Sequence, residues 1–158
     1  DCVTYLGVDL DKKLLFREHI NKTVKKAKQA LCTLYCIIKR NSAASEHSKI
    51  SVYRSVIRPI LTYACVIFNN CAKTHLNKLQ VMQNKCLRMI LNADFYERNV
   101  DLHERAGIPF IRDFIDKLAN NFYEKAATHS NDLIASLGNY ILDDEGRRVK
   151  HRLPRSLL

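Results

Sequence analysis

The chain has 158 residues, 47% of them hydrophobic, and a formal net charge of +10. A chain of this length buries roughly 68–70% of its unfolded surface, enough for a core without covalent staples, and it is longer and sparser in cysteine than secreted disulfide scaffolds. Its longest apolar runs, Ile60–Leu61 and Cys65–Phe68 among them, fall far short of the ~20 residues of a membrane span, and no apolar leader opens the sequence.

The first residue, Asp1 rather than Met, suggests a piece of a longer protein. Four glycines and three prolines leave long helices joined by short loops as the default. Val3-Thr4-Tyr5-Leu6-Gly7-Val8-Asp9-Leu10 is β-branched and aromatic-rich. It reads as a strand, one arm of a hairpin whose partner lies elsewhere, with Gly7 permitting a bulge or close backbone approach.

From Phe16 the period becomes helical. Phe16, Ile20, Val24, Ala27, Leu31, Leu34 or Tyr35, and Ile38 form one apolar stripe, and at ~100° per residue Lys22, Lys25, Lys26, Gln29 and Arg40 fall opposite it. Residues 12–40 hold nine Lys/Arg against the single acid Glu18. A single-sign cluster this dense attracts polyanions, nucleic acid first, with an acidic membrane surface as the electrostatic competitor.

Asn41-Ser42-Ala43-Ala44-Ser45 breaks the helix, and Ser45 is a candidate N-cap for the next, with Glu46 in its first turn. Ile50, Tyr53, Val56, Ile57, Ile60 and Leu61 mark the core face of this second helix, and Pro59 predicts a kink. Thr62–Phe68, apolar nearly all round, is expected to be the most buried part of the chain. After a loop, Thr74 is the expected cap of a third helix with Leu76, Leu79, Gln83, Cys86, Leu87 and Ile90 inward. Lys78, Lys85 and Arg88 lie on its far side as a second, weaker basic stripe.

Asn99 is the expected cap of a short helix ending at Gly107, with Pro109 blocking its continuation. A longer helix follows with Ile111, Phe114, Ile115, Leu118, Phe122 and Ala126 inward, and a last short one near Asp132–Leu137 stops at Gly138. Residues 143–158, with Arg147, Arg148, Lys150, Arg152 and Arg155, have no periodicity and read as a flexible basic tail. The expected class is mostly all-α: a bundle of five to six helices, a short N-terminal strand or hairpin remnant, and that tail.

No catalytic constellation is legible. Asp143-Asp144 is the only adjacent carboxylate pair, and it lacks the sheet that fixes such a pair for two-metal phosphoryl transfer. No glycine-rich phosphate cradle and no nucleophile–histidine motif is present. Of the six cysteines none forms a Cys-x-x-Cys pair. Cys32 and Cys36, one turn apart with His47 downstream, are the best metal candidates, but their spacing is not that of a zinc site and reduced, unligated thiols are expected.

Four segments together resemble the jockey-type family of non-LTR retrotransposon reverse transcriptases. They are Thr4-Tyr5-Leu6-Gly7-Val8-x-Leu10-Asp11 with Glu18-His19-Ile20; Tyr53-x-x-Val56-Ile57-Arg58-Pro59-Ile60-Leu61-Thr62-Tyr63-Ala64; Leu79-Gln80-x-x-Gln83-Asn84-Lys85-x-Leu87-Arg88-x-Ile90; and Asp101-Leu102-His103-x-x-x-Gly107-Ile108-Pro109. Where the family usually has a Trp after the Thr-Tyr segment, Phe68 stands nearby.

The resemblance implies a parent RNA-directed DNA polymerase whose Mg2+-binding aspartates lie upstream of Asp1, so that this chain alone holds no cofactor and is inactive in synthesis. It further implies that Tyr5, Leu6 and Gly7 belong to a primer-grip edge of the palm in residues 1–11. Residues 12–68 would be a thumb-like helical region along the template–primer duplex, 69–142 a C-terminal helical region, and 143–158 the tail. Implied partners are RNA or an RNA–DNA hybrid and the palm and fingers of the same polyprotein, with no membrane, in an intracellular setting of nucleus and cytoplasm. A hybrid is gripped mainly through backbone and shape, so repeated Lys and Arg suffice. A domesticated or truncated relative acting as a protein-interaction module is the alternative, and an unrelated basic helical module a third.

Overall fold

The computed structural model describes residues 2–39 and 41–137. Strands β1 (Cys2–Tyr5) and β2 (Val8–Asp11) pair antiparallel, with Tyr5 opposite Val8. Leu6 and Gly7 between them both take positive φ, 46° and 78°, as the tightest two-residue hairpin turn requires. The single-strand reading is thereby corrected: both arms lie within residues 2–11, and Gly7 is a turn residue rather than a bulge.

Asp11 links the hairpin to the first helix. Its carboxylate accepts the amides of Leu15 (3.0 Å) and Phe16 (2.8 Å). Burial opposes that charge, but the amide bonds outweigh it and hold the Asp11 carboxyl below its ordinary range. This anchored turn lets Phe16 adopt φ 56° at the N-terminus of α1 (Arg17–Thr33), a conformation a bulky residue otherwise avoids. A single residue, Leu34, separates α1 from α2 (Tyr35–Ile38). The stripe is as read: Phe16, Ile20, Ala27, Leu31 and Ile38 are buried.

Ser45 caps α3 (Glu46–Val52) by accepting the Ser48 amide at 3.2 Å. The disturbance expected at Pro59 takes the form of a π-helical turn, Tyr53–Ile57, ahead of α4 (Arg58–Thr62). The Arg58 amide reaches back five residues to the Tyr53 carbonyl. The wider turn makes room where the proline ring would crowd the preceding carbonyl and where its missing N–H leaves a gap. Tyr53, Ile57 and Leu61 are fully buried, whereas Val56 is largely exposed.

The Thr62–Phe68 expectation needs correction. The helix ends at Tyr63, Ala64 turns the chain at φ 56°, and one turn, α5 (Cys65–Phe68), resumes. Cys65 and Phe68 are buried, Ala64 packs partly against the core, and Tyr63 and Ile67 are 55% and 54% exposed. The Tyr63 hydroxyl instead donates to the Leu6 carbonyl at 2.8 Å and pins the hairpin.

Helix α6 (Lys73–Ile90) begins at Ala72 with no side-chain cap, so Thr74 does not cap it. It is followed by α7 (Asn99–Ala106), α8 (Ile111–Ala127) and α9 (Asp132–Ala135). Asn99 is the first residue of α7, not its cap, and Gly107 ends that helix at φ 58°. Helix α6 is central and packs on α1, α3, α7 and α8. Its Leu79, Met82, Cys86, Leu87 and Ile90 enter one continuous core shared with α1 and α4. Burying a side chain of Leu size contributes roughly 1.5–3 kcal/mol. Phe122, expected inward on α8, is 43% exposed.

Candidate nucleic-acid interface

Helices α1 and α6 lie side by side with a groove of about 510 Å³ between them. Lys25 and Lys28 line it from α1, Lys78 and Lys85 from α6, with Val24, Val81 and Met82 as its apolar floor and walls. At one end Lys78 Nζ donates to Asn21 Oδ1 at 2.7 Å. Asn21 thus neighbours Lys78, and further along the chain Tyr35 and Lys39 line a pocket with Arg88, Met89 and Asn92, so the two stretches run in the same direction. From Lys78 to Lys85, seven residues at 1.5 Å rise separate the ends of this lysine array by roughly 10 Å, about three phosphates of one duplex strand at ~3.4 Å each.

The sequence-predicted basic residues are sorted differently from one another. Lys25, Lys78 and Lys85 come together. Lys26 and Gln29 are exposed on α1 outside the groove. Lys22 is tied to Asp9 Oδ1 at 2.8 Å, where the Asp9 carboxylate raises its pKa and Lys22, then Thr4 at 2.6 Å, hold Asp9 below the ordinary carboxylate range. Arg88 is half-buried and engaged by the loop after α6: its guanidinium donates to the carbonyls of Asp94 and Glu97 and to Asn99 Oδ1 (2.9 Å). Arg40, Arg147 and Arg148 lie outside the described residues.

A single-helix projection selects residues opposite the apolar stripe and therefore does not single out Lys28. A groove between two packed helices is bordered by residues flanking the stripe. Lys28 sits beside Ala27 and one turn after Val24. The available signal was the Lys25/Lys28 spacing of three, matched by Lys78/Lys85 at seven, each on one flank.

The hairpin residues Tyr5, Leu6 and Gly7 form the turn itself. Val3, Tyr5 and Leu6 are 68%, 66% and 74% exposed, so β1 presents an apolar outer edge. Beneath it His19 accepts the Asp9 amide on Nδ1 at 3.4 Å and rests against Phe68, ring centroids 5.4 Å apart. Burial holds His19 below its ordinary pKa, aided by Lys26 and Lys22 and opposed by Asp9.

On another flank of α6, the third and fourth resemblance segments interlock. Gln80 Nε2 donates to Gln83 Oε1 (2.9 Å) and Asn84 Oδ1 (2.7 Å), and Gln80 Oε1 accepts the Ile111 amide at 2.9 Å. Gln83, fully buried, donates to the Pro109 carbonyl at 3.1 Å. His103 Nδ1 lies 2.8 Å from the Ile108 carbonyl and so carries a proton, Nε2 lies 2.9 Å from Asn84 Oδ1, and the ring stacks on Phe110 at 4.1 Å. Arg54 donates to the Gly107 carbonyl at 2.8 Å, and Arg58 lies 4.3 Å over the Phe114 ring. These motif residues fasten α6, α7 and α8 together.

Among the described residues no three of His, Cys, Asp and Glu cluster, and Asp9, Asp11, Asp94 and Glu97 are engaged with Lys22, backbone amides, Tyr96 and Arg105. Asp143-Asp144 lies outside the described residues. No disulfide joins the cysteines; Cys2, Cys32 and Cys36 are exposed and Cys65, Cys71 and Cys86 buried. Burial pushes the Cys65 thiol up to about 11 and Cys86 up to about 12. Among the described residues no helix is long and apolar enough to cross a membrane.

No family model and no solved structure matches the chain. The RNA-directed DNA polymerase from mobile element jockey of Drosophila melanogaster is 32% identical over 153 residues, 96% of this chain. Its namesake of Drosophila funebris is 32% identical over 160 residues, 98% of the chain. The probable RNA-directed DNA polymerase from transposon X-element of Drosophila melanogaster is 27% identical over 154 residues, again 98%. The chain spans 17–18% of the length of these relatives. With 96–98% of its residues matched by several such polymerases, the chain corresponds to one stretch of the jockey-type non-LTR retrotransposon RNA-directed DNA polymerases.

Proposed function

We propose that this chain is the thumb-like, template–primer-holding part of a retrotransposon RNA-directed DNA polymerase. The observation that carries the reading is the convergence of Lys25, Lys28, Lys78 and Lys85 on one groove. Point charges on flexible stems, set around an apolar floor and without a base-reading motif, suit backbone contact with an A-form-like hybrid. In this reading Mg2+ and the catalytic carboxylates belong to other parts of the parent enzyme, which acts inside the cell on its own RNA. The exposed apolar edge of β1 faces those other parts.

The test is a salt titration of binding to an RNA–DNA hybrid by the wild type and by a Lys25→Ala, Lys28→Ala, Lys78→Ala, Lys85→Ala variant. Each lost phosphate contact lowers the log–log salt slope by about 0.7–0.9, so a drop of about three is expected, alike for unrelated sequences. Equal slopes would remove the groove from the mechanism. Affinity that falls instead on Lys22→Ala, Lys26→Ala would return the contact face to the outer side of α1.

A further inference from the structure

Beyond Lys85 the same two helical stretches border a second pocket, lined by Tyr35 and Lys39 on one side and by Arg88, Met89, Asn92 and Ala93 on the other. Arg88 is three residues past Lys85 on the same helix, so this pocket begins roughly 5 Å past the end of the lysine array. The chain then enters the loop between α6 and α7, where Phe95 and Tyr96 stand 90% and 74% exposed. Their rings meet edge to face with centroids 5.4 Å apart.

The loop that displays them is fastened from below. Arg88 holds the Asp94 and Glu97 carbonyls and Asn99; Arg105 holds the Glu97 carboxylate at 2.6 Å and the Leu91 carbonyl at 3.3 Å. The Ala93 amide donates to the Arg88 carbonyl, and the Tyr96 hydroxyl donates to Asp94 Oδ2 at 2.9 Å. Two arginines and a short turn thus hold the loop backbone that places two large rings in water, where a core-building aromatic would be buried. A loop backbone already held needs less ordering on contact.

We propose that the Phe95–Tyr96 loop is a stacking platform for unpaired bases of a nucleic-acid strand that leaves the lysine groove. The proposal rests on the groove reading given above and extends it to a second ligand form, a single strand. Charge complementarity selects this occupant: the approach is lined by Lys25, Lys28, Lys78 and Lys85, continues past Lys39, and ends at π-faces that accept any base. The acids at the platform are engaged, Glu97 with Arg105 and Asp94 with the Tyr96 hydroxyl, so phosphates are expected along the lysines and bases at the rings.

The experiment compares two probes, a blunt RNA–DNA hybrid and the same hybrid carrying a short unpaired extension with 2-aminopurine in it. Binding is measured for the wild type, for Phe95→Ala/Tyr96→Ala, and for the four-lysine variant. Stacking corresponds to about five- to a hundredfold in affinity per base, so the wild type should prefer the extended probe by at least about fivefold and change its 2-aminopurine emission. The aromatic double variant should lose that preference and signal while keeping its blunt-hybrid affinity and salt slope. A preserved preference in the double variant would overturn the proposal and leave the rings as a protein contact. Loss of blunt-hybrid affinity together with the preference, in a variant that still folds, would equally overturn a platform separate from the groove. A four-lysine variant with unchanged slopes would defeat the groove reading alone, because the aromatic comparison is read on the wild-type background. Failure of the wild type to bind either probe would overturn both.

Discussion

His103 is where the polar network can be tested with one substitution. His103→Phe keeps a planar ring for the stack on Phe110 and removes both nitrogens. The Ile108 carbonyl, in a residue 3% exposed, then loses its 2.8 Å partner; the Gln80 amide Nε2 loses the ring Nε2 as an acceptor at 3.1 Å but keeps Asn84 Oδ1 at 2.7 Å. An orphaned buried polar group costs about 1–3 kcal/mol. One full and one partial loss therefore predict about 2–4 kcal/mol of destabilisation. At about 2–4 °C per kcal/mol for a chain of this size, the melting midpoint should fall by about 4–16 °C. Urea unfolding followed by helical circular dichroism measures it, with an unchanged m-value expected. Hybrid affinity well below the transition should be untouched, since His103 and the lysine groove lie on different flanks of α6. A loss under about 0.5 kcal/mol, the range of ordinary surface changes, would mean that the network does not fasten α6 to α7.

Acid should loosen the hairpin junction. The folded-state pKa of His19 is depressed by burial, so the unfolded chain binds that proton more readily. The associated stability is complete above the unfolded value of about 6.5 and is lost as pH falls below it. His75, lowered by burial and by Lys78 and Arg17, adds in the same window, and His19→Gln should reduce the stability difference between about pH 7.5 and 5.5; an undiminished difference would exonerate His19. Gly7→Ala should cost about 1 kcal/mol through its φ of 78°, with Gly7→Asn closer to wild type; no loss on denaturant unfolding would contradict the turn geometry. Iodoacetamide at about pH 8 should modify Cys2, Cys32 and Cys36 quickly in the folded protein and leave Cys65 and Cys86 intact, because thiolate is the reactive form. Peptide mass spectrometry showing Cys86 alkylated as fast as Cys32 would refute that burial.

Sequence reading served well wherever a single helix decides its own fate. The α1 stripe, the Ser45 cap, the inward face of α6 and the Gly107 terminus follow from periodicity and local hydrogen bonding, and the structure reproduces them. It failed where a partner from elsewhere in the chain decides. Thr62–Phe68 looked uniformly apolar, yet Tyr63 is spent on the Leu6 carbonyl 57 residues away. The expected lone strand closed into a hairpin because Leu6 accepts a left-handed conformation beside Gly7, which composition alone does not favour. Arg88 stands in the weaker basic stripe by its position on the helix, and its guanidinium also holds the loop after Ile90, a contact that helical periodicity does not reveal.

Most of the resemblance segments perform structural tasks here: His19 underlies the hairpin, Pro59 follows the π-helical turn, and Gln80, Gln83, Asn84 and His103 join three helices. Of the four groove lysines only Lys85 falls inside such a segment, and its neighbours Lys25, Lys28 and Lys78 stand outside all of them. A scaffold that fastens α6 through its polar flank frees the opposite flank to vary in charge without loss of fold. Exposed lysine substitutions usually shift stability by no more than about ±0.5 kcal/mol, while each phosphate contact changes the salt dependence of binding directly. Stability and binding should therefore be separable in this chain: His103→Phe moves the first and spares the second, and the four-lysine variant does the reverse. If both substitutions moved both quantities, the two flanks of α6 would be energetically coupled, and the groove could not be treated as a passive electrostatic surface.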